Sequence, residues 1–439
     1  MNAALANRIV EDFATASRRS TTPGGLNEER RRSALEALTA RGLPTARDEN
    51  WKYVNLRPLE KVRFAPAADR AASAIGSADL PPPIARYARY TFVDGLFAPA
   101  LSEPIDHTGV LVQSMVWDPL FPRRRGGTAD SPLPADLRFA LLNDAFATDG
   151  AAIRISAGTD HQACFELVFV ATTAGKTGAS YPRVDLQVES GARVGLIERH
   201  VSIGSDANFI NGAVNVEIAR DAAVRHYRIQ QTGARAICFD TLTATLAENA
   251  RYQLHAVNLG ALSARSTVHI QLMGERSEVG LTNVSVGGKN QTHDTFALVE
   301  HIAPRARTEQ SFRGISSGRA RVAFNGKIVV RKGAHGTDSS QSLRGLLAGP
   351  DAEIDVRPQL EIYTDDVRCS HGATAGKLDD NMLFYLLSRG LDRETALRLL
   401  KWAFLEDVVA KIEVPELRRQ IEQSLAGQLN ETAALKELL

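Results

Sequence analysis

The chain has 439 residues, enough for a large core and two or three domains. Its 52 basic and 51 acidic residues nearly cancel, which argues against the basic excess or stripe of a nucleic-acid binder. Three widely spaced cysteines, Cys164, Cys238 and Cys369, argue against a disulfide framework, favour a reducing compartment, and fall short of a four-thiolate cluster site within one chain. No apolar run reaches the length of a membrane span, and the first twenty residues lack the apolar centre of a signal peptide, so a cytoplasmic location without membrane association is expected.

Residues 4–17 place Leu5, Ile9, Val10 and Phe13 at helical spacing. The TTPGG break at 21–25 separates this helix from a second, about 27–40, with Leu35 and Leu38 inward. In GLPTARDENWKYVNLRPLEKV (42–62), Trp51, Tyr53 and Leu56 are expected to anchor a loop on a neighbouring domain. Residues 65–86, rich in Ala, Pro and Ser, read as a linker closing an N-terminal helical region, 1–86. YTFVDGLFAPALS (90–102) predicts a hairpin turning at Asp94–Gly95. The stretch 121–137 is a loop-rich insertion, with Arg123–Arg125 on a solvated loop, and a short helix follows over 137–147.

From Ala151 to Val367 short alternating runs such as ELVFVAT, RVDLQVE, VNVEIA and VHIQLM recur between Gly, Asn and Asp. Small residues follow turn-forming or charged ones at Ala192, Ala222, Ala250, Ser277, Ala306 and Ala334, at steps of 30, 28, 27, 29 and 28 residues. A unit of that length with only short strands fits one coil of a parallel β-solenoid, because one coil cannot bury its apolar face alone and stacking makes a continuous core. The core is therefore placed at 87–367, with sandwich and barrel topologies left open by alternation alone. Beyond it, 368–439 reads as a helical domain: Asp379 or Asp380 is an N-cap, Gly390 a stop, Asp392 a second start, and Pro415 the first turn of a third helix.

Three motifs invite chemistry. AGKTG (174–178) ends like a phosphate-binding loop, but Val170 stands where the first glycine is needed. Asp365 and Asp366 are adjacent, so on a strand they point to opposite faces and cannot form the facing carboxylates of a glycoside hydrolase. His293 and His301, eight residues apart, share one face if their strand is unbroken, and structural or surface roles are favoured for them over iron contact. Cys369 and His371, two residues apart at the fold boundary, are of ligand type for iron–sulfur chemistry or zinc, set against packing roles for both.

PQLEIYTDDVRCSHGAT followed by LDDNMLFYLLSRGL, together with ENWKYVNL upstream, closely resembles the SufB/SufD family of the SUF iron–sulfur assembly machinery. The SufD side of that family is the better match: SufB-type chains carry a functional cysteine just upstream, and SSQSLRGLLAGPDAEID (339–355) has none. The resemblance implies a mainly β chain with a right-handed parallel β-helix core flanked by helical regions, and a non-catalytic scaffold role. It implies a SufB-like partner at a β-helix edge, where His371 and Cys369 would share iron or a transient iron–sulfur cluster, and a SufC-like ATPase, the only source of ATP, on the C-terminal helices. Asp379, Leu391, Trp402 and Phe404 are the expected partner-binding residues there. The same edge would accept a second copy of this chain as a homodimer. The rival readings are a polysaccharide-acting β-helix enzyme and a purely structural solenoid.

Overall fold

The computed structural model describes residues 3–19, 28–66, 75–105, 108–115, 137–160, 163–172, 179–204 and 207–429. The TTPGG break, residues 121–136 of the loop-rich insertion and the AGKTG motif lie outside them. Two sheets make the body. Sheet I runs Leu96–Phe97, Ala88–Val93, Ala163–Ala171, Arg193–Ser202, Ala223–Gln231, Arg251–Asn258, Glu278–Gly287, Arg307–Ser316, Asp338–Leu347, Arg368–Gly376. Sheet II runs Val110–Ser114, Ala151–Ile155, Arg183–Val188, Phe209–Ile218, Ile237–Leu246, Ser263–Leu272, Thr292–His301, Arg321–Val330, Glu353–Ile362. From Arg193 onward successive strands alternate between the sheets and every pairing is parallel, so each coil gives one strand to each sheet and stacks on the coil before it. This is the solenoid expected from the repeat.

The repeat has a backbone cause. Asp221, Asn249, Arg276 and Arg305 adopt left-handed φ of 55–60°. Each sits just before a wholly buried small residue: Ala222, Ala250, Ser277 and Ala306. The amide of each donates across to the next coil: Asp221 to the Glu248 carbonyl (3.0 Å), Asn249 to Glu275 (2.9 Å), Arg276 to Pro304 (3.2 Å) and Arg305 to His335 (2.7 Å). Small side chains suit the close stacking of these corners. In the last coil the ladder continues from Gly336 to the Asp366 carbonyl (2.8 Å), followed by the buried Thr337, and the expected Ala334 is also wholly buried.

Strand alternation fills the lumen with columns of side chains. One column reads Val224, Tyr252, Val279, Thr308, Ser339, Cys369, and the neighbouring one His226, Leu254, Leu281, Gln310, Gln341, His371. Apart from His226, both are apolar or aromatic in the early coils, and both are polar in the last three.

Helices cover the outer faces. Helices α1 (Ala3–Arg19), α2 (Glu28–Arg41) and α3 (Arg138–Phe146) share a core with Phe209, Ile237 and Phe239 of sheet II. Ile9 and Phe13 are buried at the i, i+4 spacing of one stripe, whereas Val10, also expected inward, falls off that stripe and is exposed. Trp51 is buried between the Arg265 guanidinium, 4.3 Å from its ring centroid, and Phe139 at 5.3 Å. The Asn50 and Asn55 carbonyls accept from Arg265 Nη1 (2.8 Å) and Ser263 Oγ (2.9 Å), so ENWKYVNL fastens the N-terminal region to sheet II. The hairpin forms at Asp94–Gly95, both at positive φ as its two-residue turn demands. Within the stretch read as a linker, Leu80 and Ile84 are buried, so residues 75–86 lie against the body rather than spanning a gap.

Helices α4 (Asp380–Ser388), α5 (Arg393–Val409) and α6 (Pro415–Gln428) follow the solenoid. Leu405, Val408, Leu417, Ile421 and Leu425 pack on Tyr227, Val257, Val284 and Ile315 of sheet I. Arg313 pairs with Asp407, and Lys411 Nζ with Glu309 at 2.8 Å. The boundary read at 367/368 falls too early: Arg368–Gly376 pairs along its length with Asp338–Leu347 and is the last strand of sheet I. RCSHGATAG has almost no apolar alternation because no further coil stacks on it.

Candidate functional site

Cys369 and His371 stand on that last strand with lumen-facing parity, in register with Ser339 and Gln341. Facing them on Glu353–Ile362 are Ile354, Val356, Pro358 and Leu360, of the same parity as lumen residues Val322, Phe324 and Ile328. Pro358 lacks a backbone donor and is tolerated because this is an edge strand. His371 is exposed and Cys369 half-buried against the core. Together they offer an imidazole and a thiol at the open end of the column. Among the described residues no group of three or more His, Cys, Asp or Glu side chains is placed to hold a metal ion. The two donors fall short of a cluster's ligand shell by themselves.

The rung beneath is polar and incompletely satisfied. Gln341 Nε2 donates to Gln310 Oε1 and to the Gly326 carbonyl, both at 3.0 Å. Gln341 Oε1, Gln310 Nε2 and Ser339 Oγ are buried without a hydrogen-bond partner. These residues were not singled out from sequence. The signal was there in SSQSLRGLL, where Ser339 and Gln341 occupy the inward parity that Leu343 fills further along the strand.

A second cluster of titratable groups lies deep in the lumen. Glu198 Oε1 is met by His200 Nε2 (2.5 Å) and Arg228 Nη2 (3.0 Å), and Oε2 by His226 Nε2 (3.0 Å) and Arg228 Nε (3.1 Å). Arg228 Nη1 continues to Asp240 Oδ1 (2.9 Å). Burial alone would raise the Glu198 carboxyl, but Arg228 and the two histidine hydrogen bonds hold it well below the usual range. Burial lowers His226 and keeps it neutral. Each oxygen of Glu198 is engaged twice, so this cluster has no vacancy for a substrate. His301 is wholly buried, bonded to Thr308 Oγ1 at 2.9 Å, and lowered by burial to about 4. His293 is likewise lowered to about 4 by burial, with the Gly260 and Ala261 backbone opposing. Both have the structural placement expected of them.

On the helices, Asp379 caps α4 by accepting from the Asn381 amide (2.8 Å), and Leu391 is half-buried. Trp402 and Phe404 are half-buried against the core that α5 shares with sheet I. The exposed large apolar side chains are instead Met382, Phe384 and Tyr385 on α4, with Phe384 72% exposed. A groove of about 480 Å³ lined by residues between Asn55 and Arg63, with Phe209, Arg235 and Ile237, lies on the sheet II side and includes neither Cys369 nor His371. No helix among the described residues is long and apolar enough to cross a membrane.

Known proteins sharpen this picture. A family model described as "SUF system FeS cluster assembly, SufBD core domain" matches residues 169–404, a span that includes the terminal strand and α4. The Escherichia coli K12 protein named iron–sulfur cluster assembly protein SufD is 30% identical over 407 residues, covering 90% of this chain and 91% of that one. A SufBD family protein of Synechocystis is 27% identical over 93% of this chain and 92% of its own length. The chloroplastic protein ABCI7 of Arabidopsis thaliana is 30% identical over 60% of this chain and 57% of its own. The chain belongs to the SufBD family of the SUF system for iron–sulfur cluster assembly.

Proposed function

We propose that this chain is a non-catalytic scaffold subunit of a SufB–SufC–SufD type complex that assembles iron–sulfur clusters. The observation that carries the reading is the open terminal coil. His371 and Cys369 stand with lumen-facing parity on a strand whose outer edge has no strand partner among the described residues. Unpaired edges accept a similar edge. A SufB-like coil stacked there would bring its own thiolates over His371 and complete a ligand set that two donors cannot make. Iron or the nascent cluster is cargo at this junction, held by few ligands so that it can leave. The chain pairs with itself through the same edge when SufB is absent.

Helix α4 and the start of α5 form the dock for the SufC-like ATPase. The exposed row Met382, Phe384 and Tyr385 supports this, since contiguous exposed apolar side chains mark interaction sites. ATP acts through that partner and shifts the junction between two arrangements. The test is co-expression with SufB and SufC, anaerobic purification, and assay of iron and sulfide for the native chain and His371→Ala. A complex that forms but loses its cluster in the variant supports the shared site. A complex with unchanged cluster makes His371 structural, and failure to form any complex removes the scaffold role.

A further inference from the structure

We propose that Gln341 is the positioning residue for His371: its side-chain oxygen accepts from one imidazole N–H and leaves the other ring nitrogen bare, facing out of the lumen. The inference rests on the reading of His371 as the iron-facing group and adds the residue that aims it.

Three observations carry it. The parallel register places His371 directly above Gln341 and Gln341 above Gln310, with no other residue in that column between them. The amide of Gln341 is already oriented, because both bonds of its Nε2, to Gln310 Oε1 and to the Gly326 carbonyl, fix which end is nitrogen. Oε1 is therefore an acceptor held in place, buried, and without a partner. Leaving a buried acceptor unpaired is costly. The residue stacked on it in that column is His371, whose ring carries an N–H that can donate.

The lumen wall is shaped to permit this. A Cβ at Gly326 would stand 2.8 Å from Gln341 Nε2 and 2.9 Å from Gln310 Oε1, so a larger residue there would displace the amide pair across from it. The neighbouring column repeats the relation, with Ser339 Oγ buried and unpartnered beneath Cys369. Two adjacent donor-type side chains thus each stand on an unsatisfied polar atom. An exposed imidazole samples both tautomers, and only one presents a lone pair in a given direction. A hydrogen bond to the second nitrogen selects the tautomer and the ring orientation before a metal arrives.

The experiment is long-range proton–nitrogen NMR on the isolated full-length chain labelled with ¹⁵N-histidine, at pH about 8.5, where an ordinary imidazole is neutral. His371 is assigned by its disappearance in His371→Gln. The native chain should show one nitrogen in the protonated and one in the bare position. Gln341→Met, similar in volume but without the acceptor, should collapse the two shifts toward averages. In the assembled complex the Met variant should lose about 10- to 100-fold in iron affinity. Averaged shifts in the native chain overturn the proposal without any variant, as does an unchanged pattern in Gln341→Met. A cluster yield unchanged by His371→Ala would instead overturn the reading on which the proposal rests, and would leave the tautomer spectra untouched.

Discussion

The lumen holds two polar regions that differ in how far they are closed. In the middle coils Glu198, His200, His226, Arg228 and Asp240 form a buried ionic cluster in which each Glu198 oxygen meets two donors. At the last coil Cys369 and His371 stand over Ser339 and Gln341, whose polar atoms are left over. Both regions contain histidine, and residue type alone does not separate them. A cluster whose carboxylate is fully engaged, with only His200 Nδ1 left over, and which coils shield on both sides fixes the packing of its neighbours. An unsaturated one at an open end is built for something outside the chain.

The comparison predicts opposite mutational signatures. Glu198→Ala leaves Arg228 in the core with Asp240 alone, and removing one member of a buried ion pair costs about 3–5 kcal/mol. Guanidinium denaturation of the isolated chain should show that loss. His371→Ala, at an exposed position, should change stability by less than about 0.5 kcal/mol while removing the cluster from the complex. Equal stability losses at the two sites would break the distinction.

The pH dependence sharpens it. Burial lowers His255, His293 and His301 to about 4 each. Between the ordinary imidazole value of 6.5 and about 4 the unfolded chain therefore binds more protons than the folded one. These groups leave stability intact above pH 6.5, and it should decline as pH falls across that window. Each contributes a slope of at most about 1.4 kcal/mol per pH unit. His301→Leu, placed between the lumen residues Leu272 and Val330, should flatten the decline by one group's share, read from denaturation midpoints at a series of pH values. A decline of unchanged steepness would mean that His301 is not held neutral.

Much of this was legible in the chain. The small residues at 27- to 30-residue steps marked the corners of the coils, because a left-handed backbone residue and a stacked neighbour favour a small side chain there. Trp51 and its neighbours were legible as an anchor. The end of the solenoid was not, since alternation vanishes where a strand has no coil above it, and RCSHGATAG therefore read as the start of the helical region. The ionic cluster was also missed, although Glu198, His226 and Arg228 sit at the inward parity of otherwise apolar strands. Pairing partners more than two dozen residues apart are fixed by coil register, which a local pattern does not show.

The helices carry the same contrast between closed and open surfaces, and the smallest expected change in stability. Trp402 and Phe404 are tied into the seam with sheet I, whereas Phe384 projects from α4 with most of its surface in water. Replacing Phe384 with Asp removes no buried contact, so the isolated chain should unfold within about 0.5 kcal/mol of native. The same charge placed at the centre of an apolar interface would be desolvated without a partner, and binding should fall steeply. Pull-down of the SufC-like ATPase by the native and Phe384→Asp chains, with denaturation curves for both, reads the two effects separately. Retained binding with native stability would move the dock away from α4, and a shared loss of both would mean that α4 is held to the body by Phe384 itself.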